Sequence, residues 1–169
     1  MIIEVAEADG IVSGWRDRHD PVAVRGVPGH ITALYPFVPP ESFDDPVADA
    51  LAAVVSTIRV FDFTLSRVDE VPGAIWLRPD PDRPFRDLTR QLWSAFPTYP
   101  PYGGRFPDPQ PHLTIGVVAD GQDQAGLAAR IRDDLGPNLP ISCTAASLSV
   151  FMSDACGSWR REHQLELCR

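Results

Sequence analysis

Two short stretches of the sequence carry residue types that can do chemistry. Residues 28–35 read PGHITALY, and residues 111–117 read PHLTIGV. In each, a histidine is followed two positions later by a threonine inside an apolar, strand-like run. Because side chains at positions i and i+2 of a strand point to the same face, each histidine projects together with its threonine. One such pair is usually structural, with the imidazole hydrogen-bonded in the core, whereas two copies favour a shared site.

The four residues of these motifs suit acid–base chemistry on a phosphodiester. An imidazole gives or takes a proton near neutral pH, so His30 and His112 can divide the roles of general acid and general base. The hydroxyls of Thr32 and Thr114 can donate to the non-bridging phosphate oxygens as charge shifts in the transition state. This chemistry needs no metal, and neither His-x-His nor His-Glu-x-x-His occurs, so we predict no metal site.

The elements that must position the motifs recur in the same order in both halves of the chain, about 1–80 and 83–169. Each half reads as helix, His-x-Thr strand, helix, strand, strand, and the two histidines are 82 positions apart. A duplicated unit whose copies face each other would give this spacing. We predict helices at 7–19, 41–58, 83–96 and 122–135, and strands at 2–5, 30–35, 60–68, 74–78, 112–118, 140–152 and 158–167. The prediction is one α+β domain, 1–169, with two similar lobes and one antiparallel sheet in each.

The apolar residues of the two motif strands predict which face is buried. Ile31 and Ala33 alternate with the first motif, and Leu113, Ile115 and Val117 alternate with the second. We expect these side chains to pack beneath the helices and to leave the histidines and threonines facing a groove. The stretch before the second motif is rich in proline and glycine, which predicts a functional loop.

Composition and charge exclude several classes of protein. The 169 residues fit one domain, and a formal net charge of −8 argues against a grip on long nucleic acid. A small or terminal phosphate ester is still compatible with that charge. No apolar run is long enough to span a membrane, and the acidic start differs from a secretory signal. Three widely spaced cysteines, Cys143, Cys156 and Cys168, favour a reducing, cytoplasmic setting without a disulfide framework or zinc ribbon. We expect a monomer.

Five stretches together resemble a known family. They are HITALYPF at 30–37, FDFTL at 61–65, YPPYGG at 99–104, PHLTIG at 111–116 and a last strand led by Trp159. The chain resembles the 2H phosphoesterase superfamily, which is named for two His-x-Thr/Ser motifs. Within it, the chain is similar to the bacterial 2′-5′ RNA ligase-like proteins, also described as RNA 2′,3′-cyclic phosphodiesterases. This resemblance implies a bilobal α+β fold with both motifs lining a central groove.

The resemblance also implies roles for the motif residues. His30 and His112 become the acid–base pair, and Thr32 and Thr114 the phosphate ligands, with no cofactor. By analogy with relatives that open a 2′,3′-cyclic phosphate to a 2′-phosphate, His112 activates water and His30 protonates the 3′ oxygen. In the ligation direction, the same pair would serve attack by a 5′-hydroxyl, which would give a 2′-5′ bond.

The chain departs from the family in one respect. Many RNA ligase-like relatives place a basic residue shortly after the second motif, whereas Gly-Val-Val stands here at 116–118. Arg105, in the loop before His112, can replace that phosphate contact. Tyr35 and Tyr102 are candidates to stack on a base or ribose.

The two remaining histidines and three arginines of one predicted helix are expected to be surface residues without a catalytic role. His19 lies at a helix end, where a solvated histidine is expected, and His163 is expected at the surface or edge of the last strand. Arg83, Arg86 and Arg90 are expected to form a solvated helix face.

Three functions stay open on the sequence alone. The first is a phosphodiesterase for a small or terminal 2′,3′-cyclic phosphate, or for another cyclic or 2′-5′-linked nucleotide. The second is a module that binds nucleotides or RNA ends with little catalysis. The third is an unrelated α+β domain with an accidental repeat, which predicts that the two histidines lie far apart.

Overall fold

The computed structural model describes residues 1–169, with eight strands and four α-helices. The strands are β1 (Ile2–Glu4), β2 (His30–Thr32), β3 (Phe61–Val71), β4 (Ala74–Asp80), β5 (Leu113–Val117), β6 (Ile141–Ala145), β7 (Ser147–Ser153) and β8 (Trp159–Glu166). The helices are α1 (Ala6–His19), α2 (Asp45–Val55), α3 (Arg83–Ala95) and α4 (Gln124–Leu135). All pairings between these strands are antiparallel, which confirms the α+β class.

The eight strands form one sheet in the order β6-β3-β4-β5-β2-β1-β7-β8. The two sheets expected for two lobes are therefore the two four-stranded halves of this sheet, and they meet where β5 pairs with β2. Each half of the sequence lends a hairpin to the half of the sheet that holds the motif of the other half. The β3–β4 hairpin pairs with β5, and the β7–β8 hairpin joins the β1–β2 side. The two motif strands lie next to each other between the two hairpins.

Side-chain caps set two of the helix starts. The Asp44 carboxylate accepts from the Val47 amide at 3.1 Å, and the Asp123 carboxylate accepts from the Gly126 amide at 2.9 Å. Such caps satisfy amide groups that have no partner within the helix. Helix α2 consequently begins at Asp45 rather than at 41, and a 3-10 turn over Pro40–Ser42 precedes it.

The single strand predicted at 140–152 is wrong, because the chain forms β6 and β7 there. Strand β6 pairs with β3 at one edge of the sheet, while β7 pairs with β1 in the other half. Ala146 separates them. Both strands are rich in apolar residues, so a local pattern cannot reveal that the chain crosses from one half of the sheet to the other.

One connected apolar core draws side chains from all four helices and both halves of the sheet. Ile31, Ala33, Leu113 and Ile115 are at most 3% exposed, as predicted. The prediction for Val117 is wrong, because this side chain is 49% exposed. It ends β5 opposite Ala74, at the tip of the β3–β4 hairpin, where little packs above it.

Two other sequence features have a plain structural outcome. The three cysteines are unpaired, with Cys143 buried and Cys156 and Cys168 exposed. None of the helices combines the length and the apolar character that a membrane crossing requires.

Candidate active site

The two His-x-Thr motifs lie side by side at the centre of the sheet. Ile31 of β2 and Leu113 of β5 are register partners, and both are fully buried. An antiparallel register centred on this pair sets the histidine of each motif across from the threonine of the other. The two histidines and two threonines therefore share the opposite face, which we call the motif face, and all four are partly exposed.

Both motif histidines are held in the same way. The Nδ1 atom of His30 lies 2.8 Å from the Pro28 carbonyl oxygen, and that of His112 lies 2.7 Å from the Gln110 carbonyl oxygen. A carbonyl oxygen only accepts, so Nδ1 carries the hydrogen in each neutral ring. The Nε2 atom of each imidazole is then left with a lone pair, and it is the atom available to exchange a proton with a substrate.

Burial controls the protonation of both rings. Desolvation lowers the pKa of His30 from its ordinary 6.5 to about 4; the Pro28 carbonyl opposes this shift, and the nearby Arg16 guanidinium adds to it. Desolvation also lowers the pKa of His112, against the effect of the Gln110 carbonyl. Both imidazoles are consequently neutral at pH 7 until an anion enters the site and favours their charged forms.

The two histidines have different neighbours on the motif face. The Trp76 ring stacks on His112, with ring centroids 4.1 Å apart and planes inclined by 29°. On the other side, Glu4 of β1 pairs with His30 in register. The Glu4 carboxylate accepts from the Ser149 hydroxyl at 2.5 Å and from Arg161 at 3.0 Å. The site is thus aromatic beside His112 and charged beside His30.

Gln110 fixes the loop that leads into His112. Its backbone carbonyl holds the His112 ring, while its side-chain oxygen accepts from Arg86 at 2.6 Å and from Arg78 at 3.2 Å. Arg86 also binds Asp82 and Asp108. The prediction that Arg86 is part of a solvated face is therefore wrong, since its side chain is only 23% exposed and lies against the loop.

Tyr102 reaches the motif face from the proline-rich loop. Burial raises the pKa of Tyr102, and the Thr32 hydroxyl, which lies against the phenol, opposes that shift. The backbone of Tyr102 has a φ of 52°, which costs a residue with a side chain about 1–2 kcal/mol. Its amide donates to the Tyr35 carbonyl oxygen at 2.5 Å, so the loop is tied to the end of the first motif.

A buried ion pair lies beneath the motif strands. Arg16 of α1 and Asp20 are each 3% exposed and are joined at 2.8 Å. Arg16 also donates to the carbonyl oxygens of Thr114 and Val27, both at 3.2 Å. The guanidinium therefore ties the second motif to the segment that precedes the first.

A cavity of about 350 Å³ opens beside the first motif. His30 and Thr32 line it, and so does Tyr35, which is 51% exposed. His112 and Thr114 do not. Its walls are mainly apolar and include Val22, Val27, Phe37, Val38, Phe151 and Met152, and Arg25 and Trp159 also line it.

No hydrogen bond or ion pair joins the side chains of the other predicted residues to the motif residues. Arg105 is exposed and forms no ion pair. His163 is exposed on β8 and stacks on Phe43, as expected for a surface position. His19 is less solvated than predicted, since it stacks on Trp15. No group of three or more histidine, cysteine or acidic side chains is placed to hold a metal ion.

A family model for the 2′-5′ RNA ligase superfamily matches residues 4–155, which include both motifs and most of the sheet. The chain belongs to this superfamily.

Solved structures agree with this membership at the level of the fold. E. coli LigT in complex with NADP+ is 20% identical, with a TM-score of 0.63 over 99% of this chain and 95% of that one. E. coli LigT in complex with 3′-AMP is 16% identical, with a TM-score of 0.63 over 99% and 96%. A protein described only as a phosphoesterase is 19% identical, with a TM-score of 0.62 over 99% and 96%. A search of curated protein sequences finds no match.

In this member of the 2′-5′ RNA ligase superfamily, several residues near the two motifs were not among the candidates from the sequence. These are Trp76, Arg78, Gln110 and the Glu4–Arg161 pair. The alternation in AIWLR does place Trp76 and Arg78 on one face, but only the pairing of β4 with β5 brings that face to His112. Glu4 and Arg161 are 157 positions apart, so no local pattern could join them.

Proposed function

We propose that this protein is a metal-independent phosphodiesterase that hydrolyses the 2′,3′-cyclic phosphate of a nucleotide or an RNA end. The proposal rests on one observation. In both motifs, which lie on adjacent strands, a backbone carbonyl oxygen holds Nδ1 of the histidine (His30 or His112) and leaves its Nε2 atom free. Two such imidazoles fill both roles that cleavage of a phosphodiester requires. Membership of the 2′-5′ RNA ligase superfamily supports the same chemistry.

In the proposed reaction, the cyclic phosphate lies between the two imidazoles. Nε2 of His112 takes a proton from water as its oxygen attacks phosphorus. Nε2 of His30, protonated once the anion is bound, donates its proton to the departing 3′ oxygen, and the P–O3′ bond breaks. The product is a 2′-phosphate, and the two histidines have exchanged protonation states. The hydroxyls of Thr32 and Thr114 donate to the non-bridging oxygens.

The same residues can act in the direction of ligation. If a 5′-hydroxyl replaces water as the nucleophile, Nε2 of His112 takes its proton, Nε2 of His30 protonates the departing 3′ oxygen, and a 2′-5′ bond forms. A ligation assay with two short RNAs, one ending in a 2′,3′-cyclic phosphate and one beginning with a 5′-hydroxyl, tests this direction.

A binding module with little catalysis is the second candidate, because solved LigT complexes hold nucleotides, among them NADP+ and 3′-AMP. The two candidates differ in what the histidines do. Replacing both histidines should leave the affinity of a binder for 3′-AMP nearly unchanged, whereas an enzyme should lose almost all turnover.

The deciding experiment measures hydrolysis of adenosine 2′,3′-cyclic phosphate, and of a short RNA with the same end, in the presence of EDTA. We expect turnover in the wild type and a loss of about 100-fold or more in His30→Ala and in His112→Ala, the amount typical for removing one general acid or base. The product should be the 2′-phosphate.

His163→Ala is the matched control, because His163 is an exposed histidine of the same sheet that lies outside the motif face. It should retain wild-type turnover. Absence of turnover in the wild type, or turnover that both motif substitutions leave intact, rejects the proposed function.

A further inference from the structure

We propose that the cavity beside His30 is the subsite for the one nucleoside that carries the scissile phosphate, and that Arg25 binds a phosphate on the 5′ position of that nucleoside. This inference rests on the proposed function and adds to it a substrate class. It predicts that the base and the 5′-phosphate are both recognised, whereas further nucleotides of an RNA are not.

The position of the cavity supports this subsite. It is lined by His30 and Thr32 of the first motif but reaches neither His112 nor Thr114. A phosphate held between the motifs would therefore have a mainly apolar cavity on one side only. In a 2′,3′-cyclic phosphate, the ribose and the base both lie on one side of the phosphorus atom. They therefore match a site whose cavity lies beside the first motif and does not reach the second.

The size and walls of the cavity fit a nucleoside. Its volume of about 350 Å³ lies at the lower end of the range for small-molecule pockets. Tyr35 and Trp159 meet edge to face there, with ring centroids 6.3 Å apart. Exposed aromatic rings bind nucleobases of any sequence by stacking. The space has room for one nucleoside and none for an oligonucleotide.

The backbone holds Trp159 firmly in place. Its amide donates to the Arg25 carbonyl oxygen at 2.8 Å, and its own carbonyl lies close to Gly26. Gly26 has a φ of +96°, and a Cβ at this position would lie 2.9 Å from the Trp159 oxygen. Only glycine permits this approach, so the aromatic wall is a built feature of the fold.

Arg25 supplies the charge complementarity. It is the one cationic side chain of the cavity lining, it is exposed, and it forms no ion pair with any carboxylate. Most arginines of this acidic chain are paired, including Arg16, Arg78, Arg86 and Arg161. An unpaired guanidinium at the rim of an apolar nucleoside site is suited to a phosphate.

The subsite also indicates which histidine is the general acid and which is the general base. If the nucleoside occupies the cavity, its 3′ oxygen leaves on the side of His30, and water attacks from the side of His112. The geometry of the cavity thus gives the same acid and base as the analogy with family relatives, on independent grounds.

The test compares kcat/KM for three probes on the wild type: ribose 2′,3′-cyclic phosphate, adenosine 2′,3′-cyclic phosphate and the latter with a 5′-phosphate. We expect a gain of about tenfold or more for the base, because stacking on an aromatic side chain contributes about 1–3 kcal/mol. The 5′-phosphate should give a further gain. In a dinucleotide with the same cyclic end, the 5′-phosphate of the terminal nucleoside is the linkage to the preceding nucleoside, as in an RNA. Its kcat/KM should not exceed that of the mononucleotide with a 5′-phosphate.

Variants locate these gains. Trp159→Ala should lose about tenfold on the adenosine probe and much less on the ribose probe, while the matched control Trp93→Ala, an exposed tryptophan of α3, should lose nothing. Arg25→Gln should remove only the gain from the 5′-phosphate. Arg59→Gln makes the same change of charge at an exposed position outside the cavity and should keep that gain.

Equilibrium binding of adenosine 2′-phosphate, which needs no turnover, separates this inference from the proposed function. If the protein binds adenosine 2′-phosphate, loses this binding in Trp159→Ala and shows no hydrolysis, the proposed function is rejected and the subsite is retained. Hydrolysis without preference for the base, or an equal loss in Trp159→Ala on both probes, rejects the subsite and keeps the function. A protein that binds no nucleotide rejects both.

Discussion

Ile31 of β2 pairs with Leu113 of β5, and this pairing joins the two halves of the sheet. Each residue is the middle residue of a His-x-Thr motif, and each is fully buried. The apolar pair therefore sets the relative position of the four polar residues on the opposite face. Packing of the core and geometry of the site are two consequences of the same contact.

This relationship predicts a large loss of stability when Leu113 is truncated. Leu113→Ala leaves a cavity in the core, and we expect the free energy of unfolding to fall by about 2–5 kcal/mol. Val117→Ala, at a 49% exposed position of the same strand, should change it by about 0.5 kcal/mol or less. Urea denaturation measures both. Similar losses in the two variants would contradict the described core.

The motif threonines should act on turnover rather than on folding. Thr32→Val and Thr114→Val keep the shape of the side chain and remove the hydroxyl. A hydrogen bond to a charged group contributes about 1.5–3 kcal/mol, so we expect kcat to fall about 10- to 100-fold. Thr→Ser at either position keeps the donor and should restore most of the rate. A rate unchanged in both valine variants would remove the threonines from the site.

The activity of the free enzyme should favour acidic pH. Burial lowers the pKa of His30 to about 4 and that of His112 below 6.5, so the form with one protonated imidazole is most populated between these values. We expect kcat/KM to rise as pH falls from 7 and to peak below pH 6.5. It should fall again where both rings are protonated.

The pH profile of kcat should lie at higher pH than that of kcat/KM, because the bound phosphate anion raises the pKa of both imidazoles. Thermal melts over the same pH range establish that the protein stays folded. A maximum of kcat/KM at or above pH 7 would show that the two imidazoles do not have the lowered pKa values described for them.

Arg86 should position His112 without touching substrate. Arg86→Gln removes the contact that holds the Gln110 side chain, and the loop that fixes the His112 ring is then less constrained. We expect kcat to fall about tenfold with little change in KM, since a small misplacement of a catalytic group is costly. Arg83→Gln, at an 85% exposed side chain of the same helix, should have no effect. Equal rates in both variants would mean that the loop holds His112 unaided.

The buried Arg16–Asp20 pair should be essential for the stability of the site. Asp20→Asn leaves the guanidinium charge buried without its counter-charge, and breaking such a pair typically costs about 3–5 kcal/mol. Glu162→Gln, which breaks an exposed pair with Arg160, should cost at most about 1 kcal/mol. Chemical denaturation of both variants checks the contrast, and a small cost for Asp20→Asn would show that water reaches Arg16.

The residue types of the candidate site, and most of the elements that hold them, follow from local patterns in the sequence. The alternation around Ile31 and Leu113 indicated the two motif strands and their buried faces, and the spacing of apolar residues indicated three of the four helices, α2, α3 and α4. These signals are local, because strands repeat every two residues and helices every 3.6. The doubled His-x-Thr motif was also readable, since it depends on residue identity alone.

How these parts meet depends on contacts between segments that are far apart in the chain. The chain crosses between the halves of the sheet at Ala146, and each half lends its hairpin to the other, which no local periodicity encodes. The helical pattern predicted a solvated side chain for Arg86. In the structure, Arg86 instead donates to Asp108 and Gln110, in a loop 22 to 24 residues along the chain. The Glu4–Arg161 contact and the cavity beside His30 likewise arise from segments far apart in the chain, because burial and charge pairing depend on which surfaces pack together.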